Sequence, residues 1–216
     1  MKVLFENAEI VCVEKPIGMP VQPDPTGDRD LMAAVREEKG IGDLYLVHRL
    51  DRAVGGVVLL AKSAKAAAKW SAAFAERRVE KIYYLVAVGE PPVKGEMRDF
   101  IRKESAASKA FITKGPHGGA KESSLSFETL ARTEDGGEPC ALVRVSLTTG
   151  RFHQIRVQFA SRGMPLFGDG KYGSRKKKCR VALHAAALFG EGVRVSCLPP
   201  LDEYPWNLFE KEVYQK

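Results

Sequence analysis

The stretch LVHRLDRAVGGVVLLAKSA contains one acidic side chain, Asp51, set between Arg49 and Arg52. Cationic neighbours favour the ionised form of a carboxylic acid, so we expect Asp51 to be available at neutral pH as a nucleophile or a base. The alternative is an aspartate that pairs with Arg49 or Arg52 and only holds a loop in place. On this stretch alone the structural alternative is the default, because aspartates are common in loops.

A second candidate is Arg156 in TTGRFHQIRVQFASRG. On a helix, Phe152, Ile155 and Phe159 form an apolar stripe, and Arg156 lies about 40° from Phe152, at the edge of the buried face. An unpaired buried charge is costly, so Arg156 needs a partner there, and a carboxylate such as Asp51 would serve. The alternative is an arginine whose stem covers apolar surface while its head reaches water.

Two adjacent tyrosines, Tyr83 and Tyr84, lie in the predicted strand VEKIYYLVAVG. Neighbouring side chains of a strand face opposite ways, so one tyrosine is expected in the core and the other in a cleft or in solvent. An aromatic ring beside a catalytic carboxylate could stack on a planar base. The default is that both rings belong to the core.

The segment KYGSRKKKCR, residues 171–180, contains six cations and no acid. Such a run can contact phosphates without reading sequence, although a solvated loop is the alternative. The whole chain has 34 Lys and Arg against 27 Asp and Glu, a formal net charge of +7. This excess favours an anionic partner such as nucleic acid or an acidic membrane surface.

Several classes of protein are disfavoured by what the sequence lacks. It has no GxxxxGK[ST] or GxGxxG loop, no HExxH and no GxSxG, which argues against nucleotide hydrolysis, metalloprotease and esterase activity. The four cysteines form no CxxC pair and are expected to be reduced thiols rather than zinc ligands or disulfides. Neither a signal peptide nor a stretch of about 18 apolar residues is found, so a cytoplasmic protein is expected.

The surrounding segments predict the elements that position these residues. EIVCVEKP is typical of a strand, GMPVQPDPTGDRD of a loop, and DLMAAVREEKG of a helix between a capping Asp and a closing Gly. GGVVLLAKS predicts a buried strand, after which Ser63 caps a helix. Ala67, Trp70 and Phe74 share one face of that helix. Asp51 is therefore expected in a loop ahead of a strand and a helix.

The rest of the chain predicts mostly antiparallel sheet. From EKIYYLVAVGEPP to PCALVRVSLTTG, runs rich in Val, Tyr, Phe, Ile and Leu alternate with Gly and Pro clusters. TKGPHGGAKESS predicts an exposed loop and TEDGGEP a hairpin turn. RFHQIRVQFASRGMP predicts a helix closed by Gly163 and Pro165, and VALHAAALFGEGVRVSCLPP two more strands. The pattern indicates an α+β fold, with helices packed on a large sheet.

In order and wording these segments resemble the RluA family of pseudouridine synthases. EIVCVEKPIGMPVQP is similar to the family's opening hVVDKPxGhxVHP pattern, where h is apolar, and HRLDRAVGGVVLLAKS to its HRLDxxTSG signature. KIYYLVAVG is similar to its KxY segment and ALHAAALF to its LHA strand. LTTGRFHQIRVQFASRGMPLFGDGKYG is similar to its LxTGRxHQIRxxxxxxGxPhxGDxxYG run.

The resemblance implies an α+β pseudouridine synthase fold, with a large mixed, mainly antiparallel sheet, flanking helices and a central cleft. It implies a single catalytic domain over residues 1–216, without the N-terminal RNA-binding domain of many relatives. The implied activity is isomerisation of specific uridines in tRNA or rRNA through a catalytic aspartate. The N-glycosidic bond is cleaved, the base is rotated and rejoined through carbon 5, and that carbon loses its proton. No cofactor, metal or obligatory protein partner is expected, and the protein is expected to be a monomer.

Carried over residue by residue, the resemblance makes Asp51 the catalytic aspartate and Arg156 its electrostatic partner. Tyr83 becomes the aromatic that stacks on the target base, and Arg49 fills the gap that a flipped base leaves. The residues expected to contact RNA are His48, Arg49, Arg151, His153, Arg175, Lys176, Lys177 and Lys178.

One departure from the family pattern is that Val54-Gly55 replaces the usual Thr-Ser after HRLDxx. The order of this loop is then expected to come from backbone hydrogen bonds or water. Two rivals stay open, an RNA-binding protein that lost activity and a glycosidic hydrolase. The hydrolase would need two facing carboxylates. Asp169 is the only candidate for the second, and we interpret it as a structural turn residue.

Overall fold

The structure is a computed structural model that describes residues 1–176 and 179–215. The chain divides into two compact units. The first combines Met1–Lys81 with His184–Pro199, and the second combines Ile82–Leu183 with the chain from Pro200 onward. The single catalytic domain over residues 1–216 remains a prediction. In the described part of the chain, no helix is long and apolar enough to cross a membrane.

The strands are β1 (Val3–Glu6), β2 (Ile10–Lys15), β3 (Tyr45–Leu46), β4 (Gly55–Ala61), β5 (Glu80–Val88), β6 (Lys94–Glu104), β7 (Lys109–Thr113), β8 (Lys121–Asp135), β9 (Glu138–Leu147), β10 (Leu183–Gly190) and β11 (Val193–Ser196). The helices are α1 (Leu31–Lys39), α2 (Ala64–Ala75) and α3 (Gln154–Ala160).

The first unit is built around β4, which is buried along its whole length. β2 pairs with β4 in antiparallel register, β1 pairs with β2, and β3 and β10 pair with opposite ends of β4. β4 and β10 run parallel, so this sheet is mixed. Asp30 and Ser63 cap α1 and α2 through their side chains, as predicted, and Gly40 ends α1 in a left-handed conformation.

Gly56 allows β10 to approach β4 closely. A Cβ atom at Gly56 would lie 2.2 Å from the carbonyl oxygen of Ala185, and its φ of +116° is strained for any other residue. The second glycine of the pair behind Asp51 is therefore a packing requirement of the sheet.

The second unit is an antiparallel sheet in the order β5-β9-β8-β6-β7. The predicted hairpin turn joins β8 to β9 through Gly136 and Gly137, which have φ values of +62° and +80°. α3 packs against β6 and β7. The α+β class and the mixed, mainly antiparallel sheet are confirmed, while the central cleft stays a prediction.

Three local predictions differ from the structure. The buried face of α2 is Ala66, Trp70 and Ala73, one step away from the expected stripe. The segment TKGPHGGAKESS is a loop only over residues 114–120, because β7 ends at Thr113 and β8 begins at Lys121. α3 has no one-sided apolar stripe, since all its residues before Ala160 are buried and Phe152 precedes the helix. A short helix enclosed on several sides loses the periodicity on which the prediction depended.

Candidate active site

The loop that bears Asp51 is fixed by backbone contacts. Asp51 is half-buried, and its carbonyl accepts a hydrogen bond from the Val54 N–H at 3.0 Å, just before β4. Backbone hydrogen bonding thus orders the place where the family has Thr-Ser. The Arg52 guanidinium contacts Asp28, Asp24 and the Thr26 hydroxyl, the last at 2.7 Å. The Arg52 side chain therefore binds residues 24–28, and the interpretation of Asp51 as its structural partner loses support.

Lys15 is a buried cation that the sequence reasoning did not single out. Its side chain is at the end of β2, and its ammonium donates to the carbonyls of Met19 at 2.7 Å, Pro16 at 2.9 Å and Arg52 at 3.3 Å. Burial lowers its pKa to about 8, and the charge of Asp51 acts in the opposite direction. The same attraction favours the ionised form of Asp51. The sequence feature that could have indicated this buried cation is a lysine at the end of the apolar run IVCVEK.

His48, on the N-terminal side of Asp51, connects this loop to β4. Its Nε2 atom accepts a hydrogen bond from the Leu59 N–H at 2.9 Å, and its ring lies 4.7 Å from that of Phe74. Burial, with a smaller effect from Lys81, lowers the pKa of His48 to about 3, so the imidazole is neutral at pH 7. A neutral ring used in this way is a structural contact. Arg49, the next residue, is exposed.

In the second unit Arg156 forms a bidentate ion pair with Asp169. Nε and Nη2 of Arg156 each lie 2.7 Å from a carboxylate oxygen of Asp169, and the side chains are only 6% and 1% exposed. The interpretation of Arg156 as an arginine with its head in water is therefore wrong. Asp169 does lie in a turn, as expected, but it is also the carboxylate partner that the sequence reasoning missed. The pairing of Arg156 with Asp51 stays a prediction.

His153 and Arg151, both predicted to contact RNA, differ in exposure. His153 is 8% exposed, stacks on Phe152 with ring centroids 3.8 Å apart, and its Nδ1 lies 2.9 Å from the Tyr172 hydroxyl. Arg151 is exposed, and its Nε donates to the Glu122 carbonyl at 2.9 Å. Of the two, Arg151 is the side chain that can meet a phosphate at the surface.

Tyr83 and Tyr84 are both buried on β5, at 8% and 7% exposure. Tyr83 is registered opposite Val145 of β9. The Tyr84 hydroxyl donates to the carbonyl of Tyr214 at 2.9 Å, which places Tyr84 in the core. Stacking of Tyr83 on a base stays a prediction.

The basic run is partly used inside the protein. Lys176 pairs with Asp135 at 2.7 Å and Glu138 at 3.0 Å, and the hydrogen bond to Asp135 raises its pKa. This ammonium anchors the run to the β8–β9 turn. Arg175 is exposed, and Lys171 donates to the Ser108 carbonyl. The predicted RNA contacts Lys177 and Lys178 lie outside the described residues.

Comparison with known proteins gives a consistent result. Residues 9–161 match the family model described as RNA pseudouridylate synthase. An uncharacterized RNA pseudouridine synthase of Haemophilus influenzae is 28% identical over 94% of this chain and 90% of its own length. The ribosomal large subunit pseudouridine synthase C of Rickettsia bellii is 32% identical over 80% of this chain, which spans 57% of that relative.

A solved structure, the human RNA pseudouridylate synthase domain containing 1, superposes with a TM-score of 0.78 at 25% identity. It covers 95% of this chain, and 85% of its own length is matched. The family model spans well over half of the chain and includes Asp51, Tyr83 and Arg156. The chain therefore belongs to the RNA pseudouridylate synthase family of uridine isomerases, as its motifs predicted.

Proposed function

We propose that this chain converts uridine in a folded RNA to pseudouridine with Asp51 as the catalytic group. The observation that carries the proposal is the construction of the Asp51 loop inside the matched region. Lys15 and His48 fix the backbone on the two sides of Asp51, while Arg52 is engaged elsewhere. A carboxylate near a buried cation, on a loop held by hydrogen bonds, is suited to chemistry that needs the ionised acid.

The reaction leaves the composition of the RNA unchanged. The bond from carbon 1 of the ribose to nitrogen 1 of uracil breaks, the base rotates, and carbon 5 of the base bonds to carbon 1. The proton on carbon 5 is then lost and nitrogen 1 gains one. Asp51 either attacks carbon 1 as a nucleophile or removes a sugar proton to begin this sequence. Both routes need the carboxylate ionised, and neither needs a cofactor.

The roles proposed for Arg156 and Tyr83 are those of the family motifs that they occupy. Arg156 acts as the cation that partners the catalytic aspartate, and Tyr83 stacks on the uracil. What supports these roles is the family to which the chain belongs, together with the burial of both side chains. A target uridine must leave its stack, which costs a few kcal/mol and is least costly in loops.

The RNA partner is proposed to be held through phosphates by the exposed cations Arg151 and Arg175, while the exposed Arg49 fills the gap that the flipped base leaves. Ribosomal RNA is the first substrate to test, because the Rickettsia relative is named for the large ribosomal subunit, and tRNA is the second. We propose that the protein acts in the cytoplasm, a reducing compartment with which the free thiols of all four cysteines agree. We also propose that it acts as a monomer.

The test is tritium release from cellular RNA labelled at carbon 5 of uridine, taken from a strain that lacks this protein. Wild type is expected to release tritium and Asp51→Ala to release none, while both bind the RNA with similar affinity. Asp43→Ala, which removes an exposed carboxylate from the same unit, is the matched control and is expected to behave as wild type. Fractionation of the RNA then identifies the substrate.

Product analysis separates the proposal from its rivals. Free uracil in the supernatant would indicate a glycosidic hydrolase. Binding of every RNA fraction without tritium release would indicate a binding protein. Release that persists in Asp51→Ala would show that another group is the catalyst.

A further inference from the structure

Tyr172, in the FGDGKYG segment, contacts the side chains of Arg156 and His153 in the second unit. It ends a 3-10 turn at Gly170–Tyr172, and its backbone N–H donates to the Asp169 carbonyl at 3.0 Å. Asp169 immediately precedes this turn, so the two side chains belong to one short segment of the chain. Asp169 and Tyr172 can therefore reach the same group, and that group is the guanidinium of Arg156.

Two kinds of contact converge on Arg156. Asp169 binds it edge-on through two hydrogen bonds of 2.7 Å. The Tyr172 ring lies against its face, with Cζ of Arg156 5.2 Å from the ring centroid, within the range of a cation–π contact. Carboxylate and ring together restrict both the in-plane and the out-of-plane orientation of the guanidinium.

The ring itself is held by its hydroxyl. The Tyr172 oxygen accepts a hydrogen bond from the Ala110 N–H at 2.8 Å and lies 2.9 Å from Nδ1 of His153. Ala110 belongs to β7 and is fully buried, and His153 is the left-handed residue immediately before α3. One buried phenol, 9% exposed, thus connects β7, the start of α3 and the arginine on that helix.

We propose that Tyr172 is a positioning residue that holds Arg156 in its working orientation. The inference rests on the proposed function, in which Arg156 partners the catalytic aspartate. Tyr172 touches no reacting atom in this proposal. It acts through Arg156, so its removal changes the rate of the chemical step and leaves RNA affinity unchanged.

The experiment measures single-turnover tritium release from the carbon-5-labelled RNA, with protein in excess, and RNA affinity by filter binding. Tyr172→Leu, which removes the ring, is expected to lower the rate constant by about tenfold to a hundredfold, the size of loss that small misplacement causes. Tyr172→Phe keeps the ring and loses the hydroxyl, and a smaller loss is expected. RNA affinity should stay within about threefold of wild type in both, because no phosphate contact is removed.

The same substitutions made in an Arg156→Lys background distinguish positioning from general loosening. If Tyr172 acts through Arg156, its substitutions lose most of their effect there, because interacting sites are not additive. Tyr214→Phe is the matched control. It removes another buried tyrosine hydroxyl, bonded to the Trp206 carbonyl at 2.9 Å, and is expected to lower the melting temperature without slowing the reaction.

Three outcomes would overturn the positioning role while the proposed function stands. The first is an unchanged rate constant in the Tyr172 variants. The second is the same fold-loss of rate from these substitutions in the wild-type and Arg156→Lys backgrounds. The third is a loss of rate in Tyr214→Phe as large as that in Tyr172→Phe. Should Tyr172→Leu fail to fold, Tyr172→Phe decides by the same comparison, since it keeps the volume of the ring. A wild-type protein that releases no tritium would overturn the proposed function, and the positioning role with it.

Discussion

Substitution of Asp169 by Asn tests the buried ion pair with Arg156. Asparagine keeps the size of the side chain but removes its charge, so the 6% exposed guanidinium loses the carboxylate that binds it through two hydrogen bonds. Removal of one partner of a buried pair costs about 3–5 kcal/mol. We expect the lower end, because the amide oxygen can still accept one of the two hydrogen bonds.

A loss of about 3 kcal/mol lowers the melting temperature of a chain of this size by roughly 6–12 °C. Calorimetry and urea unfolding of wild type and Asp169→Asn measure it. The control is Asp202→Asn, which breaks the ion pair with Lys211 where the side chains are 88% and 61% exposed. Solvent screens that pair, so no measurable shift is expected. An Asp169→Asn protein that melts within about 2 °C of wild type would refute the reasoning on the buried pair.

Further predictions concern His48 and Lys15, the two residues that hold the Asp51 loop. His48 has a folded pKa of about 3 against an ordinary value of 6.5, so its unfolded form binds the extra proton between these values. The contribution of neutral His48 to the free energy of unfolding is therefore full above pH 6.5 and is lost as pH falls towards 3. Between these pH values the urea midpoint of His48→Gln should depend less steeply on pH than that of wild type. Lys15→Met should slow tritium release, because it removes the cation near Asp51. It should change the melting temperature little, because the cost of burying that cation is removed with it. In wild type, release should also decline as pH rises through about 8, and Lys15→Arg should move that decline to higher pH, whereas an unchanged pH profile would rule out this role of the charge.

Local signals predicted the fold well, because caps and turns depend on residues that are close in sequence. Asp30 and Ser63 cap their helices, and the Gly136-Gly137 turn has the positive φ values that only a few residue types adopt readily. The partner of Arg156 was out of reach for the same reason. Asp169 is 13 residues away along the chain, and nothing in the helical pattern shows that the intervening loop brings it back to α3.

The contacts of Lys15 illustrate a second limit of sequence reasoning. A lysine at the end of an apolar strand is usually a side chain that reaches water. In this chain its three hydrogen bonds go to the carbonyls of Pro16, Met19 and Arg52. Backbone carbonyls carry no residue-type signal, so a cation that they hold is invisible to motif reasoning unless a family pattern marks the position.

The distribution of buried charge supports a functional use of Lys15, Arg156 and Asp169. Among the described residues the buried charged side chains are Lys15, Asp30, Arg156 and Asp169. Asp30 caps α1, whereas the other three lie in the EKP, HQIR and GDGKYG motifs. A buried ion pair is often no more stabilising than apolar residues of similar volume. We therefore expect the double variant Arg156→Met with Asp169→Leu to recover much of the stability that Asp169→Asn loses.

The same double variant should have no tritium release, because it has no cation at position 156 to partner the catalytic aspartate. Recovery of the melting temperature without activity would show that the pair is retained for the reaction rather than for the fold. If the double variant were less stable than Asp169→Asn alone, the pair would be needed for packing of α3 against its turn. The placement of these charges in the motifs would then have a structural explanation.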